Sequence, residues 1–515
     1  MKRKLLILPL LLMLCFLANA QQVTVTGKVI NALTKAPLSG ASVRTDSKLG
    51  ITDKDGKFAI TGNNGKVITL SFQGMQPVSL KITPASQNLL IALDEMISNL
   101  DTVVVTGYQT QKKADLTGAV TVVDVKELKK MPNNNPIQAL QGRVPGMIVY
   151  SDGSPSGSNV TVNIRGIGSI NGTNPLYVID GVATTAGMHE LNPNDIETIQ
   201  VLKDASAASI YGSRASNGVI IITTKKAKKG VMQVTANARN SYSYYNTKMS
   251  VLDAQGYGNA VWQASANDAV LYGGAPLDQY LIYKFKWNVD ANGNYALNKI
   301  ILPEYVDTTT QTMKTANTNW FKEISQLAYS QNYDVTVSKG TDKGSSMFSV
   351  DYTDNKGIVR TTEFKRISAR MNSDYRLIND KLLIGENFTA NTTQEVQDPG
   401  VLNPALQALP VIPVHTVDGI GWGGPFGGMN DRQNPVRLLE DNKQNHYNYI
   451  RLFGNAFADF EVIKNLHLKS SIGLNEGVFD QRVMQLAYVS GYLNNPNNYV
   501  TMNHWTSTEL TWTMT

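Results

Sequence analysis

The second half of the chain carries the tightest constraint: apolar and polar residues alternate one for one. Met232, Val234, Ala236, Ala238, Tyr242 and Tyr244 are interleaved with Gln233, Thr235, Asn237, Arg239, Ser241 and Ser243. Tyr333, Val335 and Val337 alternate with Asp334, Thr336 and Ser338. Phe348, Val350 and Tyr352 alternate with Ser349, Asp351 and Thr353, and Ile367, Ala369 and Met371 with Ser368, Arg370 and Asn372. Leu466, Leu468 and Ile472 repeat the pattern against His467, Lys469 and Gly473. Successive side chains on a strand point to opposite faces, so each segment predicts a strand with one apolar and one polar face. A soluble meander gives this pattern, and so does the wall of a transmembrane barrel with its apolar side toward lipid. Two segments depart from it: Glu386 falls on the apolar parity of Leu382–Ala390, and residues 449–460 mix both faces.

The N-terminus bears on that choice. Lys2, Arg3 and Lys4 precede an apolar run, Leu5–Leu17, and Ala18-Asn19-Ala20 fits a small-x-small cleavage site. Residues 1–20 therefore read as an export signal peptide. Its apolar run is short for a membrane span, which disfavours an uncleaved anchor. Cys15, the only cysteine, lies inside the leader, and Leu14 before it is too large for a lipoprotein site. The mature chain then has no disulfide, thiol nucleophile or cysteine zinc site. Loss of the three leader cations leaves 44 basic against 41 acidic residues, so the charge argues for no nucleic-acid partner. No later stretch holds 18 consecutive apolar residues, the order of length a spanning helix needs. A β-barrel is the remaining way to satisfy every backbone polar group in lipid.

Residues 21–95 read as a small β-sandwich. Val23–Val29, Ala41–Arg44, Lys57–Ile60, Val67–Phe72 and Val78–Ile82 are strand candidates, separated by turns such as Asp55-Gly56 and residues 62–65. Asp53-Lys54-Asp55-Gly56 reads as a turn; a calcium loop would need more oxygen ligands and a closing Glu. Residues 96–110 form a linker. Within it Asp101, Thr102, Val103, Val104, Val105 and Thr106 make a short β-branched run. Such a run is either a further sandwich strand or a segment that adds itself to the sheet edge of another protein.

Residues 111–228 read as a compact α/β domain. Val120–Val125 is strand-like, and Pro136–Leu140 predicts a helix start. Ile199–Leu202 predicts a strand, Ala205–Tyr211 a small-residue helix, and Gly218–Thr224 a strand buried on both faces. Gly212 and Gly218 punctuate the unit.

The wording of these segments resembles the SusC/RagA type of TonB-dependent outer-membrane transporters. The resemblance rests on GRVPGMIVY (142–150), VTVNIRGIGSINGTNPLYVIDGV (160–182) and LNPNDIETIQVLKDASAASIYGSRASNGVIIITTKK (191–226), in family order and spacing. GITDKDGKFAI (50–60) resembles a carboxypeptidase-regulatory-like module, and DTVVVTGYQTQKKADLTGAV (101–120) resembles a TonB box leading into a plug. The implied fold is mainly β: an N-terminal β-sandwich, an α/β plug, then the first part of an antiparallel transmembrane β-barrel over residues 229–515. Eight strand patterns after residue 230 are too few to surround such a plug, because an eight-stranded barrel is filled by its own side chains. The family implies about 22 strands, so the sequence predicts a fragment or a truncated product.

The resemblance implies active import of an oligosaccharide or peptide across the outer membrane. The implied partners are TonB gripping Asp101–Thr106, a SusD-like surface lipoprotein, and outer-membrane lipid. It implies no cofactor and no metal. The residues add little enzymatic signal: the five histidines are scattered and no Gly-x-Ser-x-Gly elbow occurs. Gly166-x-Gly168 lacks the third glycine of a dinucleotide site, and GIGWGGPFGGMN (419–430) lacks a phosphate-binding lysine. Residues 246–329 and 393–446 read as long polar loops of the extracellular side. A secreted β-rich adhesin and a TonB-linked signalling receptor are the rival readings.

Overall fold

The structure is a computed structural model that describes residues 22–46, 48–94, 103–106, 109–112, 120–125, 135–166, 172–184, 187–204, 209–246, 250–464 and 466–515. The leader, Asp101, Thr102 and the first part of the Ala205–Tyr211 helix expectation lie outside these residues. The chain divides into two compact units, 1–104 with 110–115, and 105–109 with 116–515.

In the first unit two small sheets enclose one apolar core. Lys57–Asn63, Gln22–Asn31 and Leu89–Leu93 form one sheet, in that order. Leu49–Ile51, Ser42–Arg44, Val67–Ser71 and Val78–Lys81 form the other. Val25, Val29, Val43, Ile68, Leu70 and Leu93 are fully buried between them. All five expected strands are present. The two strands not expected, Leu49–Ile51 and Leu89–Leu93, are short and carry exposed leucines that blur the alternation. Asp53 Oδ1 accepts the backbone N–H of Asp55 and of Lys57, which closes the Asp55-Gly56 turn.

The second unit contains an inner domain and a large sheet. The inner domain is built on five strands in the order Val120–Val123, Ile196–Leu202, Val219–Thr224, Leu176–Ile179, Val182–Thr184. Val219–Thr224 is central, antiparallel to Ile196–Leu202 and parallel to Leu176–Ile179. Ile220 and Ile222 enter one apolar core with Ile199, Val201 and Ile179, while Val219 and Ile221 enter a second core on the other face with Leu202 and Val178. A continuous apolar run is what a strand covered on both sides requires. Gly218 starts it at φ +90°, and a Cβ there would lie 2.9 Å from Ile164 Cδ1 and 3.1 Å from Leu202 O. Where they are described, the expected helices are 3-10. Gln138–Leu140 is a single 3-10 turn, and the chain turns away at Gly142 (φ +72°). Ser209–Ala215 is 3-10, broken at Gly212 (φ 66°, ψ −153°).

The large sheet has eight antiparallel strands: β1 Gln233–Ser243, β2 Ala328–Gly340, β3 Gly344–Lys356, β4 Glu363–Leu377, β5 Leu382–Val396, β6 His446–Ile463, β7 Leu466–Gln485 and β8 Tyr499–Met514. They lie in sequence order, and β1 and β8 are not paired with each other. Parity divides the faces. Val335, Val350, Ile367, Met371 and Ile472 are exposed on the outer face, whereas Asp351, Thr353, Arg366 and Arg370 are buried on the inner one. The sheet is thus apolar outside and polar inside, the reverse of a soluble barrel. Residues 449–460 mix parities because Phe453 points inward into the apolar core of the inner domain. Glu386 does lie on the outer parity, half-buried, with Ser373 and Ala456 as its register neighbours.

Short turns at one end, such as Thr341–Lys343, contrast with long connections at the other. Those connections are not plain loops. Helices α1 (Ala254–Tyr272), α2 (Trp320–Ile324), α3 (Leu402–Gln407) and α4 (Pro435–Asn442) pack with a three-stranded sheet at residues 279–301. Trp262, Tyr283, Trp320, Val411 and Leu439 form their common core. Asp253 and Asn434 cap α1 and α4 by accepting backbone N–H groups. No helix among the described residues is long and apolar enough to cross a membrane.

The outward parity predicts a depth-dependent cost. Val335→Arg places a guanidinium in lipid and lowers stability in phospholipid vesicles by about 2–4 kcal/mol, whereas Val335→Leu stays near wild type. Denaturant unfolding in vesicles measures this; equal tolerance of both changes would place that face in water.

Candidate functional site

The inner domain sits against the polar face of the sheet, and the residues that join them are mostly charged or amide side chains. Arg366 on β4 donates from Nη1 to the backbone oxygen of His189 (2.7 Å) and pairs through Nη2 and Nε with Asp351 on β3 at 2.7 and 3.0 Å. Both members of that ion pair are only 1 % exposed. Four residues along β4, Arg370 pairs with Asp180, and donates to Thr224 Oγ1 at 2.7 Å. Asn372 donates to the same hydroxyl (2.9 Å) and to Lys225 O (2.7 Å). The period of two brings Arg366, Arg370 and Asn372 to one side of one strand.

Two further strands continue this interface. Arg451 on β6 donates to Glu190 Oε2 at 2.8 Å and Thr184 Oγ1 at 3.0 Å, and is steadied from Nε by Asn475 on β7. Glu395 at the long-connection end of β5 accepts from the hydroxyls of Ser156 and Ser158. Ser349 donates to Asp195, and Asn194 donates to Asp334. Near the short-turn end Lys226 pairs with Asp374 at 3.0 Å, half-exposed. A cavity of about 140 Å³ opens beside the Ser156 contact, lined by Ser154, Gly157, Ser330, Asn355 and Lys356 among others.

Burial sets the protonation of the groups between the guanidinium groups. The His189 imidazole is pushed down to about 4, first by loss of water and then by Arg366 and Arg451. Among the described residues its Nδ1 has no hydrogen-bond partner, and its ring meets Phe364 edge-on at 6.0 Å. Burial pushes the Glu190 carboxyl up, and the Arg451 guanidinium pulls it back.

Val103–Thr106 is a strand paired with Gln109–Lys112, and the division between the two compact units falls within this segment. Sequence reasoning did not single out Arg366, Arg451, Glu190 or Glu395. Arg370 was visible on the polar parity of β4; charged residues at such inward positions are the signal that could have found the others.

Known proteins match both units. Residues 112–219 match the TonB-dependent Receptor Plug Domain, and residues 25–105 match the CarboxypepD_reg-like domain. Over 94 % of its length the chain is 32 % identical to the TonB-dependent receptor SusC of Bacteroides thetaiotaomicron, covering 47 % of that protein. Over 81 % it is 30 % identical to the TonB-dependent receptor P26 of Formosa agariphila, covering 40 % of it. The RagAB peptide importer in its open-open state superposes with TM-score 0.58 at 25 % identity, over 80 % of this chain and 46 % of that one. The chain therefore spans a little under half the length of these relatives. The inner domain is a plug and the large sheet is barrel wall, which together define a TonB-dependent outer-membrane receptor. Within that class the chain belongs to the SusC/RagA type.

Two outcomes follow from the interface. Arg451→Met leaves Glu190 buried without its partner and weakens plug docking by about 3–5 kcal/mol; adding Glu190→Gln recovers much of the loss. The urea concentration at which plug residues become protease-accessible measures both. The second concerns pH. A released plug would take a proton on His189 below its ordinary value of 6.5, while the docked ring refuses one until about 4. The His189 contribution to docking is full above 6.5 and is lost as pH falls through that window, by up to about 3 kcal/mol, while the raised Glu190 carboxyl contributes with the opposite sign. The same assay across that range should lose this component of its slope in His189→Leu, with Glu190, Arg366 and Arg451 left in place.

Proposed function

We propose that the protein imports a nutrient of the oligosaccharide or peptide class across the outer membrane, driven by TonB and fed by a SusD-like surface lipoprotein. The carrying observation is the polar character of the plug–wall interface. Hydrogen bonds and ion pairs exchange readily for water once water enters, whereas an apolar core would not. A plug held in this way is firm at rest and can be released stepwise by force applied at one end. Asp101–Thr106 is the grip: it precedes the plug, and Val103–Thr106 is already extended. TonB would add a strand there through backbone hydrogen bonds. Substrate binding on the extracellular side of plug and wall would be relayed through the plug to that segment. The protein acts in this reading as a transporter and performs no chemistry on its cargo. The name of the RagAB importer, which refers to peptides, and the kinship with SusC support the nutrient class without choosing within it.

Val104→Pro removes a backbone donor from the intermolecular strand. In the full-length protein this change should abolish energy-dependent uptake while leaving outer-membrane abundance and substrate binding intact. Uptake at the wild-type rate would refute the grip.

A further inference from the structure

The outer face of the wall loses its apolar character toward the long-connection end, which is the extracellular end of such a barrel. There Lys365 on β4, Gln394 on β5, Asn448 on β6 and Asp480 on β7 stand opposite one another in turn. They share the outward parity of Ile367 and Ile450. At the strand spacing of a sheet this polar row is about 14 Å long. One step down the strands, Ile367, Thr392 and Ile450 stand opposite one another. All four strands are paired on both sides, so the row owes nothing to an open sheet edge.

Two features set this stretch apart from an ordinary wet rim. The first is shape. A furrow of about 460 Å³ opens here, lined by Lys365, Gln394, Asn448 and Asp480 from the polar row and by Ile367 and Ile450 from the row below. Thr392, the smallest side chain of the lower row, lies between the two isoleucines. The second feature is hydrogen bonding. The charges at the ends of the row are already matched: Lys365 pairs with Glu363 at 2.7 Å, and Asp480 bonds His504 at 2.7 Å. The amides between them are not. Among the described residues Gln394 and Asn448 face each other with no side-chain hydrogen bond, and the Thr392 hydroxyl has none either. Three neutral groups that both donate and accept thus border one furrow. Solvation accounts for polar residues at this level. It does not account for a concavity that runs from the amides onto Ile367 and Ile450, which are exposed on the lipid-facing side.

The furrow is continuous with the face that lipid covers, so a lipid is the occupant that fits it. The headgroup chemistry follows from the free groups. The phosphate and amine of a phospholipid would find the local cation and anion already paired. A sugar headgroup brings hydroxyls, which exchange both kinds of hydrogen bond with primary amides. Its acyl chain then covers the isoleucines. We propose that Gln394, Asn448 and Thr392 hold the headgroup of one saccharide-headed lipid of the outer leaflet, with its chain seated on Ile367 and Ile450. On their other face β4 and β6 carry Arg366, Arg370 and Arg451, so the seated lipid braces the stretch of wall that holds the plug. The site does not depend on the import reading.

The test uses the full-length protein, extracted in mild detergent and stripped of loosely held lipid. Native mass spectrometry follows the retention of three added probes: bisphosphorylated lipid A, its phosphate-free form, and phosphatidylethanolamine. Both saccharide lipids should be retained as one copy, about tenfold or more above phosphatidylethanolamine. Gln394→Leu combined with Asn448→Leu should lower that preference about tenfold. Thr392→Phe fills the furrow with an apolar ring and should do the same. Val335→Leu, on the outer face away from the furrow, should change nothing. Circular dichroism on heating checks that each variant is folded. Equal retention of all three probes by the wild type overturns the site, as does an unchanged preference in both furrow variants. Retention of the bisphosphorylated form alone also overturns it, because charge would then select the lipid. So does a loss of dimer in the amide variant with lipid retention unchanged, which would make this face a contact between two copies of the chain.

Discussion

Three arginines of the wall, Arg366, Arg370 and Arg451, each end in the plug, and the rest of the second unit is arranged so that they can. Lipid requires every backbone group of the wall to be paired within the sheet, and it favours apolar side chains on the outward face. Period two then leaves a polar inner face. A domain inside such a wall meets guanidinium, carboxylate and amide groups, and the plug answers with Asp180, Glu190, Thr224 and the backbone oxygen of His189. These charges have left water, so each guanidinium is held by several acceptors. The plug is stable through its own two apolar cores, and it is docked through groups that water can replace.

For the import proposed above, that separation decides how the plug answers force. The cores of the plug and of the wall's outer cap are continuous within themselves, whereas between plug and wall the apolar contribution centres on Phe453. Force on the linker therefore meets a series of polar contacts at different heights, from Lys226–Asp374 near the short turns to Ser156–Glu395 near the cavity. Contacts arranged in this way yield one after another rather than all at once.

Much of this was legible in the residues. The alternation from residue 231 onward gave both the strands and their two-faced chemistry, and the apolar run Val219–Thr224 announced a strand covered on both sides. Both helix expectations meet 3-10 turns where described, and the chain turns at Gly142 and Gly212, just beyond the expected ends. The cap built from the long connections was read as loop because its core, Trp262, Tyr283, Trp320, Val411 and Leu439, is scattered over nearly two hundred positions and meets only in space. Arg451 was hidden by Phe453 beside it, whose inward ring spoils the alternation.

The order in which plug and wall yield to force is the deciding property of this molecule. The direct measurement is single-molecule pulling on the linker at Asp101 with the full-length protein held in a lipid bilayer. The prediction is that the plug yields first, in several small force steps, with the wall strands still seated, and that it re-docks when the force is relaxed. Extraction of wall strands before the plug moves, or release of the plug as one body in a single high-force event, would contradict it.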